Sequence, residues 1–219
     1  MPEFTLIQQI CIWALPVILA ITLHEAAHAY IAFKCGDTTA KMFGRLSLNP
    51  IRHIDLVGTI VLPVLVGVLT SFNFVIGYAK PVPITWSQLK NPRRDMILVA
   101  LAGPFSNFLM AILWAGGFKL ATLMHPETSM AALFLLAASR AGMIINLVLA
   151  FLNLIPLPPL DGSRVVMSLL PARQAIAYAK IEPYGFFILI LLLLTGVLGF
   201  ILNPLIGGSF KFLSFLYQL

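Results

Sequence analysis

His24, Glu25 and His28 fall in the run Leu23-His24-Glu25-Ala26-Ala27-His28-Ala29-Tyr30, towards the end of an apolar stretch. Residues four apart lie on one face of a helix, so the two imidazoles can converge on a single metal ion. This is the H-E-x-x-H pattern, in which the glutamate acts as general base on a water at zinc. Two histidines reaching for a membrane interface would be the plainer explanation. Ionisable groups inside spans cost about 2.5–3.5 kcal/mol each when charged and usually mark function. Three such residues in five positions, in this order, favour the metal.

A catalytic zinc keeps three protein ligands and one open position. The third ligand must come from elsewhere, and the supply is short. The acidic residues are Glu3, Glu25, Asp37, Asp55, Asp95, Glu127, Asp161 and Glu182, and the other histidines are His53 and His125. Only Asp161 follows a long apolar segment in a run built for an abrupt stop, Asn153-Leu154-Ile155-Pro156-Leu157-Pro158-Pro159-Leu160-Asp161-Gly162. The prolines cannot continue a helix and favour an extended path, and Gly162 allows a turn beside a metal. An ordinary helix stop followed by an Asp-Gly surface turn accounts for the same residues equally well. Local pattern alone leaves the third ligand open.

These residues need elements to hold them, and the composition says which kind. The 219 residues are 60% hydrophobic and only 10% charged, where soluble domains are roughly 25% charged. A cytosolic enzyme, a disordered tail and a nucleic-acid-binding domain are excluded. The expected fold class is an all-α polytopic membrane protein with about four to six membrane helices. Residues 1–219 read as one membrane-embedded domain, with a site-bearing core at about 6–165 and a C-terminal helix region at 166–219. Cys11 and Cys35 show no pairing signature, so neither a disulfide nor a thiolate zinc site is expected. Met1-Pro2-Glu3 lacks the basic start of a cleavable signal peptide, so the first span is expected to be retained.

Apolar segments run at about 6–33, 56–76, 95–123, 130–157 and 184–206. The polar stretches 34–55 and 77–94 fit short strands or turns, a small β-like element. The stretches 34–55, 77–94 and 158–183 carry eleven of the fourteen basic residues, and basic loops stay in the cytoplasm. The net charge of +6 is therefore an orientation signal rather than a sign of nucleic acid. Segment 56–76 lies between two such loops and contains Gly58, Pro63 and Gly67, which suits a re-entrant element near the active site. A simple further span is the alternative.

The sequence resembles the site-2 protease family of intramembrane zinc metalloproteases, in its compact prokaryotic branch without a PDZ or CBS domain. The resemblance rests on HEAAH at 24–28, on Gly103-Pro104-Phe105-Ser106-Asn107 and on NLIPLPPLDG at 153–162, with further similarity in GRLSLNPIRHIDLVGT at 44–59 and GYAKPVP at 77–83. It covers most of the chain from about 20 to 165. It implies that His24, His28 and Asp161 bind one zinc ion per chain and that Glu25 activates water. It also puts Asn107 and Asn153 near the active site, with the substrate carbonyl or its oxyanion as their target. If Asp161 is a ligand, a re-entrant 56–76 brings it to the same membrane face as the histidines. A full crossing would put it about 30 Å away.

The expected function is zinc-dependent cleavage of a peptide bond within or near a substrate's transmembrane helix, with the site towards the cytoplasmic side of a prokaryotic cell membrane. The partners are the lipid bilayer and a single-span membrane protein or signal-peptide remnant, with no nucleic acid. The substrate must unwind locally, and an edge in 44–55 or 71–83 could pair with it by strand addition. His53 either faces the zinc cleft or is solvated. Asn146 is expected to be structural. Helix 184–206 suits a lateral gate, with Glu182-Pro183 as its hinge. A membrane zinc transporter or sensor, or an inactive scaffold relative, are the rival classes; intact Glu25 argues against the scaffold. The sequence assigns neither a natural substrate nor an oligomeric state.

Overall fold

The computed structural model describes residues 4–61 and 80–218. Helix α1, Leu6–Lys34, opens with a capping box in which the Thr5 hydroxyl accepts from the Gln8 amide and the Gln8 side chain accepts from the Thr5 amide. It stops at Cys35 and Gly36, whose φ of +111° ends helical geometry. Helix α2 is one turn, Thr39–Met42. Helix α3, Pro92–Leu123, begins with proline in its first turn, and α4, Met130–Leu154, is capped by the Ser129 hydroxyl.

Six residues connect α3 to α4, so the two form an antiparallel pair. They pack through small residues, as membrane helices do when backbones approach closely. A Cβ on Gly142 would strike the Trp114 ring, and one on Gly117 would press on the Ser139 hydroxyl. Ala111, Ala115, Met143 and Leu147 form the core of this pair, joined by Leu213. Helix α1 lies against α3 through Ala32, Leu89 and Val99. The Lys90 amide donates to the Cys35 carbonyl at 3.0 Å. The two ends of the connection from α1 to α3 therefore lie together.

Past α4 the chain makes four more helices: α5 (Asp161–Leu169), α6 (Ala172–Ala179), α7 (Glu182–Leu194) and α8 (Val197–Tyr217). Four helices, α1, α3, α4 and α8, are long and apolar enough to cross a membrane; α6 and α7, bent by 61°, would make a fifth span if counted together. The protein is an integral, all-helical membrane protein in its described residues.

Three expectations need revision or fall outside this description. The single segment 184–206 is two helices, because Thr195 caps α7 and Gly196, at φ +76°, breaks the chain before α8. Hydrophobicity runs unbroken across that glycine, so composition could not show the break. The β-like element is absent among the described residues, and 34–55 forms turns instead. Asp37 accepts from the Thr39 amide and hydroxyl, and Asn49 accepts from the Ile51 amide; such side-chain bonds compete with strand pairing. Residues 80–85 belong to no helix or strand, and side chains hold their backbone. Most of 56–76, and 71–79 of the proposed strand edge, lie outside the described residues; only 56–61 is described, as a π-helical turn.

Candidate metal centre

Helix α1 delivers His24 and His28 to one buried face, where they are 8% and 6% exposed. Their Nε2 atoms lie 3.0 Å apart. Asp161, the first residue of α5, places Oδ2 at 3.2 Å from His24 Nε2 and 3.3 Å from His28 Nε2. One ligand atom from each of the three lies within 4.8 Å of the others. Among the described residues this is the one such group.

Two glycines make the convergence possible. A Cβ on Gly103 of α3 would overlap both imidazoles, so the rings occupy space that any other residue would fill. A Cβ on Gly162 would collide with the Leu154 and Ile155 carbonyl groups. Glycine there lets α5 start directly against the end of α4, which brings Asp161 to the histidines.

The outer ring nitrogens test whether a cation belongs here. His28 Nδ1 lies 2.7 Å from the Val99 carbonyl oxygen, and His24 Nδ1 lies 2.6 Å from Asn107 Oδ1. Oxygens of this kind only accept, so each Nδ1 carries the hydrogen. Both Nε2 lone pairs then face each other and a carboxylate. Asp161 Oδ2 is itself buried with no directed hydrogen-bond donor. Three acceptors aimed at one point, each braced from behind, are the donor set of a divalent cation such as zinc. Burial alone would raise the Asp161 carboxyl, but His28 and His24 beside it hold it below the usual carboxylate range.

Glu25 is half-buried, and its Oε2 accepts from the Val82 amide at 2.8 Å. The segment carrying Val82 is tied from several sides. Arg45 donates to the Lys80 and Pro81 carbonyls, Asp37 accepts from the Thr85 amide, and the Lys80 amide donates to the His53 carbonyl.

A Bacillus subtilis protein, YwhC, which is named as a zinc metalloprotease, is 38% identical to this chain over 201 residues, 88% of this chain and 84% of YwhC. The chain belongs to peptidase family M50, the site-2 proteases. The family model itself matches residues 118–196, which include Asn153–Gly162 but not HEAAH. Rip2 of Mycolicibacterium smegmatis, also named as a zinc metalloprotease, is 30% identical over 181 residues, 83% of this chain and 66% of Rip2. No solved structure matches.

Within this M50 chain the other expected residues sit as follows. Asn107 is fully buried, and its amide nitrogen donates to Asn146 Oδ1 at 2.9 Å and to the Ala20 carbonyl at 3.2 Å. Both of its hydrogens are engaged, which leaves none for an oxyanion. Asn153 is half-buried and donates to the Leu149 carbonyl of its own helix. His53 is not solvated: it is 1% exposed and bonds through Nε2 to the Ser47 carbonyl, apart from the three-residue group. Sequence reasoning overlooked Val99 and Val82, which act through backbone atoms and leave no side-chain signal. It also took Asn146 as structural. One signal was present: Asn107 lies sixteen residues before the end of α3 and Asn146 sixteen after the start of α4. In an antiparallel pair that puts both at one depth, about 24 Å from the connection.

Proposed function

We propose that this chain is a zinc-dependent intramembrane endopeptidase that hydrolyses a peptide bond within or near a substrate's transmembrane helix. The observation that carries the reading is the meeting of His24, His28 and Asp161 at one end of long apolar helices, with Glu25 beside them. His24, His28 and Asp161 would hold one zinc ion. Bound there, zinc supplies Lewis acidity that polarises the scissile carbonyl and makes water a stronger nucleophile. Glu25, with Oε2 held by the Val82 amide, keeps Oε1 to take the proton from attacking water and return it to the leaving amine. Asn153, whose amide has a second hydrogen, is the remaining asparagine for the substrate carbonyl.

An apolar groove of about 560 Å³ runs beside the histidine face, lined by Leu23, Ala27, Tyr30, Leu46, Leu48 and Met110. It would seat the unwound end of a substrate span, with a single-span protein or a signal-peptide remnant as the substrate class. The basic loops cluster at the end of the bundle that holds the site. By the positive-inside rule that end faces the cytoplasm, in what the reading takes to be a prokaryotic cell membrane.

The test uses purified wild type and Glu25→Gln, both loaded with zinc and offered a single-span substrate. Wild type should cleave, and the variant should be slower by about 10²–10⁴-fold. Full cleavage by Glu25→Gln would remove the general base. Zinc binding with no cleavage by either form would point instead to a transporter, sensor or inactive scaffold.

A further inference from the structure

Asn146 lies on α4, one layer beyond every residue assigned to the metal centre, yet it is joined to that centre by an unbroken line of hydrogen bonds. We propose that Asn146 is a positioning residue: it fixes the amide orientation of Asn107 and, through it, holds the His24 Nε2 lone pair towards the metal. The proposal rests on the reading of His24, His28 and Asp161 as the zinc site.

The argument is one of donors and acceptors. An asparagine amide has one oxygen that accepts and one nitrogen that donates, and a flip exchanges them. The line begins at the Gly142 carbonyl, which only accepts. Asn146 Nδ2 donates to it at 2.9 Å, so Asn146 Oδ1 must face the other way. That oxygen accepts from Asn107 Nδ2 at 2.9 Å, so Asn107 Oδ1 is turned towards the ring of His24, 2.6 Å from Nδ1. His24 therefore carries its hydrogen on Nδ1 and presents a bare Nε2. If Asn107 flipped, its NH2 would face Nδ1, and the ring would have to move its hydrogen to Nε2, where a metal could not bind.

Asn107 has a second anchor in the Ala20 carbonyl, but that contact is longer, at 3.2 Å. Asn146 supplies the closer of the two. Both asparagines are 0% exposed, so no water can substitute for a missing partner, and an unpaired amide at that depth is costly. His28 needs no such relay, because a backbone carbonyl, which cannot flip, orients it. The two ligands from one helix are thus braced by different means, and only the His24 brace depends on side chains from two further helices.

The experiment measures zinc affinity of the full-length protein in detergent, by competition with a chelator, alongside thermal stability of the metal-free form. Asn146→Leu should bind zinc about 10-fold more weakly, the lower end of the effect of losing an outer-layer partner. Asn107→Leu should lose about 10–100-fold. The double variant should be no weaker than Asn107→Leu alone, because residues in one line do not add. Asn146→Asp has the same shape, and burial keeps it neutral. Its O–H can serve Gly142 while its other oxygen serves Asn107, so zinc affinity should return near wild type. Wild-type affinity in Asn146→Leu overturns the relay, as do multiplying effects in the double variant or an Asn146→Asp as weak as Asn146→Leu. Zinc uptake by His24→Ala equal to wild type would instead overturn the metal site itself.

Discussion

The site-bearing helices and the C-terminal helices are equally apolar but are held together differently. In the most apolar stretch of α4, half the residues are buried within the protein, and a third in α1 and α3, against 17% in α8. The first group meets through glycine, alanine and buried amides. The second meets its neighbours at few points: Gly185 of α7 against the Pro158 carbonyl, Arg164 with Glu182, Tyr178 with the Pro156 carbonyl, and Leu213 of α8 in the α3–α4 core. In a bilayer, lipid solvates an apolar face as well as another helix does. Close backbone approach and polar bonds must therefore do the positioning, and they are concentrated where ligands need it.

If this contrast holds, substitutions at the site should change metal binding while those in the C-terminal helices change stability alone. The largest effect is expected from Asp161→Ala, which removes a ligand: zinc affinity should fall by more than about 100-fold, beyond what outer partners cost, as read by chelator competition. Gly103→Ala comes next. Its methyl must displace two imidazoles, an overpacking cost of about 1–3 kcal/mol, which corresponds to roughly 10–100-fold in zinc affinity. Leu213→Ala should lower the stability of the fold by about 2 kcal/mol in thermal unfolding, with zinc affinity unchanged; a matching loss of zinc would erase the contrast. The smallest effect should come from Arg164→Ala. Its partner Glu182 is 41% exposed, so solvent screening limits the ion pair to about 0.5 kcal/mol, although Arg164 also lies over the Trp86 ring.

How far this was legible in the sequence depends on whether a feature lives in side-chain type or in backbone. The helical spacing of His24 and His28 is a local fact, and so are the apolar runs that became α1, α3 and α4. Asp161 was one of two equal readings until the resemblance was considered, because a proline-rich stop says nothing about which helix it ends beside. Gly103 could be read as a generic packing residue; that its missing Cβ is the room for two rings follows only from three dimensions. The turns at 34–55 were misjudged because Asp37 and Asn49 satisfy nearby amides themselves, which polarity and β-propensity do not reveal. Val99 and Val82 contribute a carbonyl and an amide that every sequence has.

The segment 80–83, Lys80-Pro81-Val82-Pro83, carries only two N–H groups, because proline has none. Both are engaged, Lys80 with the His53 carbonyl and Val82 with Glu25, while Arg45 covers the Lys80 and Pro81 carbonyls. A backbone with no spare donor cannot template another chain, which is how edge strands are kept from unwanted pairing. This stretch is therefore a selvedge beside the site: an unwound peptide can slide past Glu25 along it without being stitched to it.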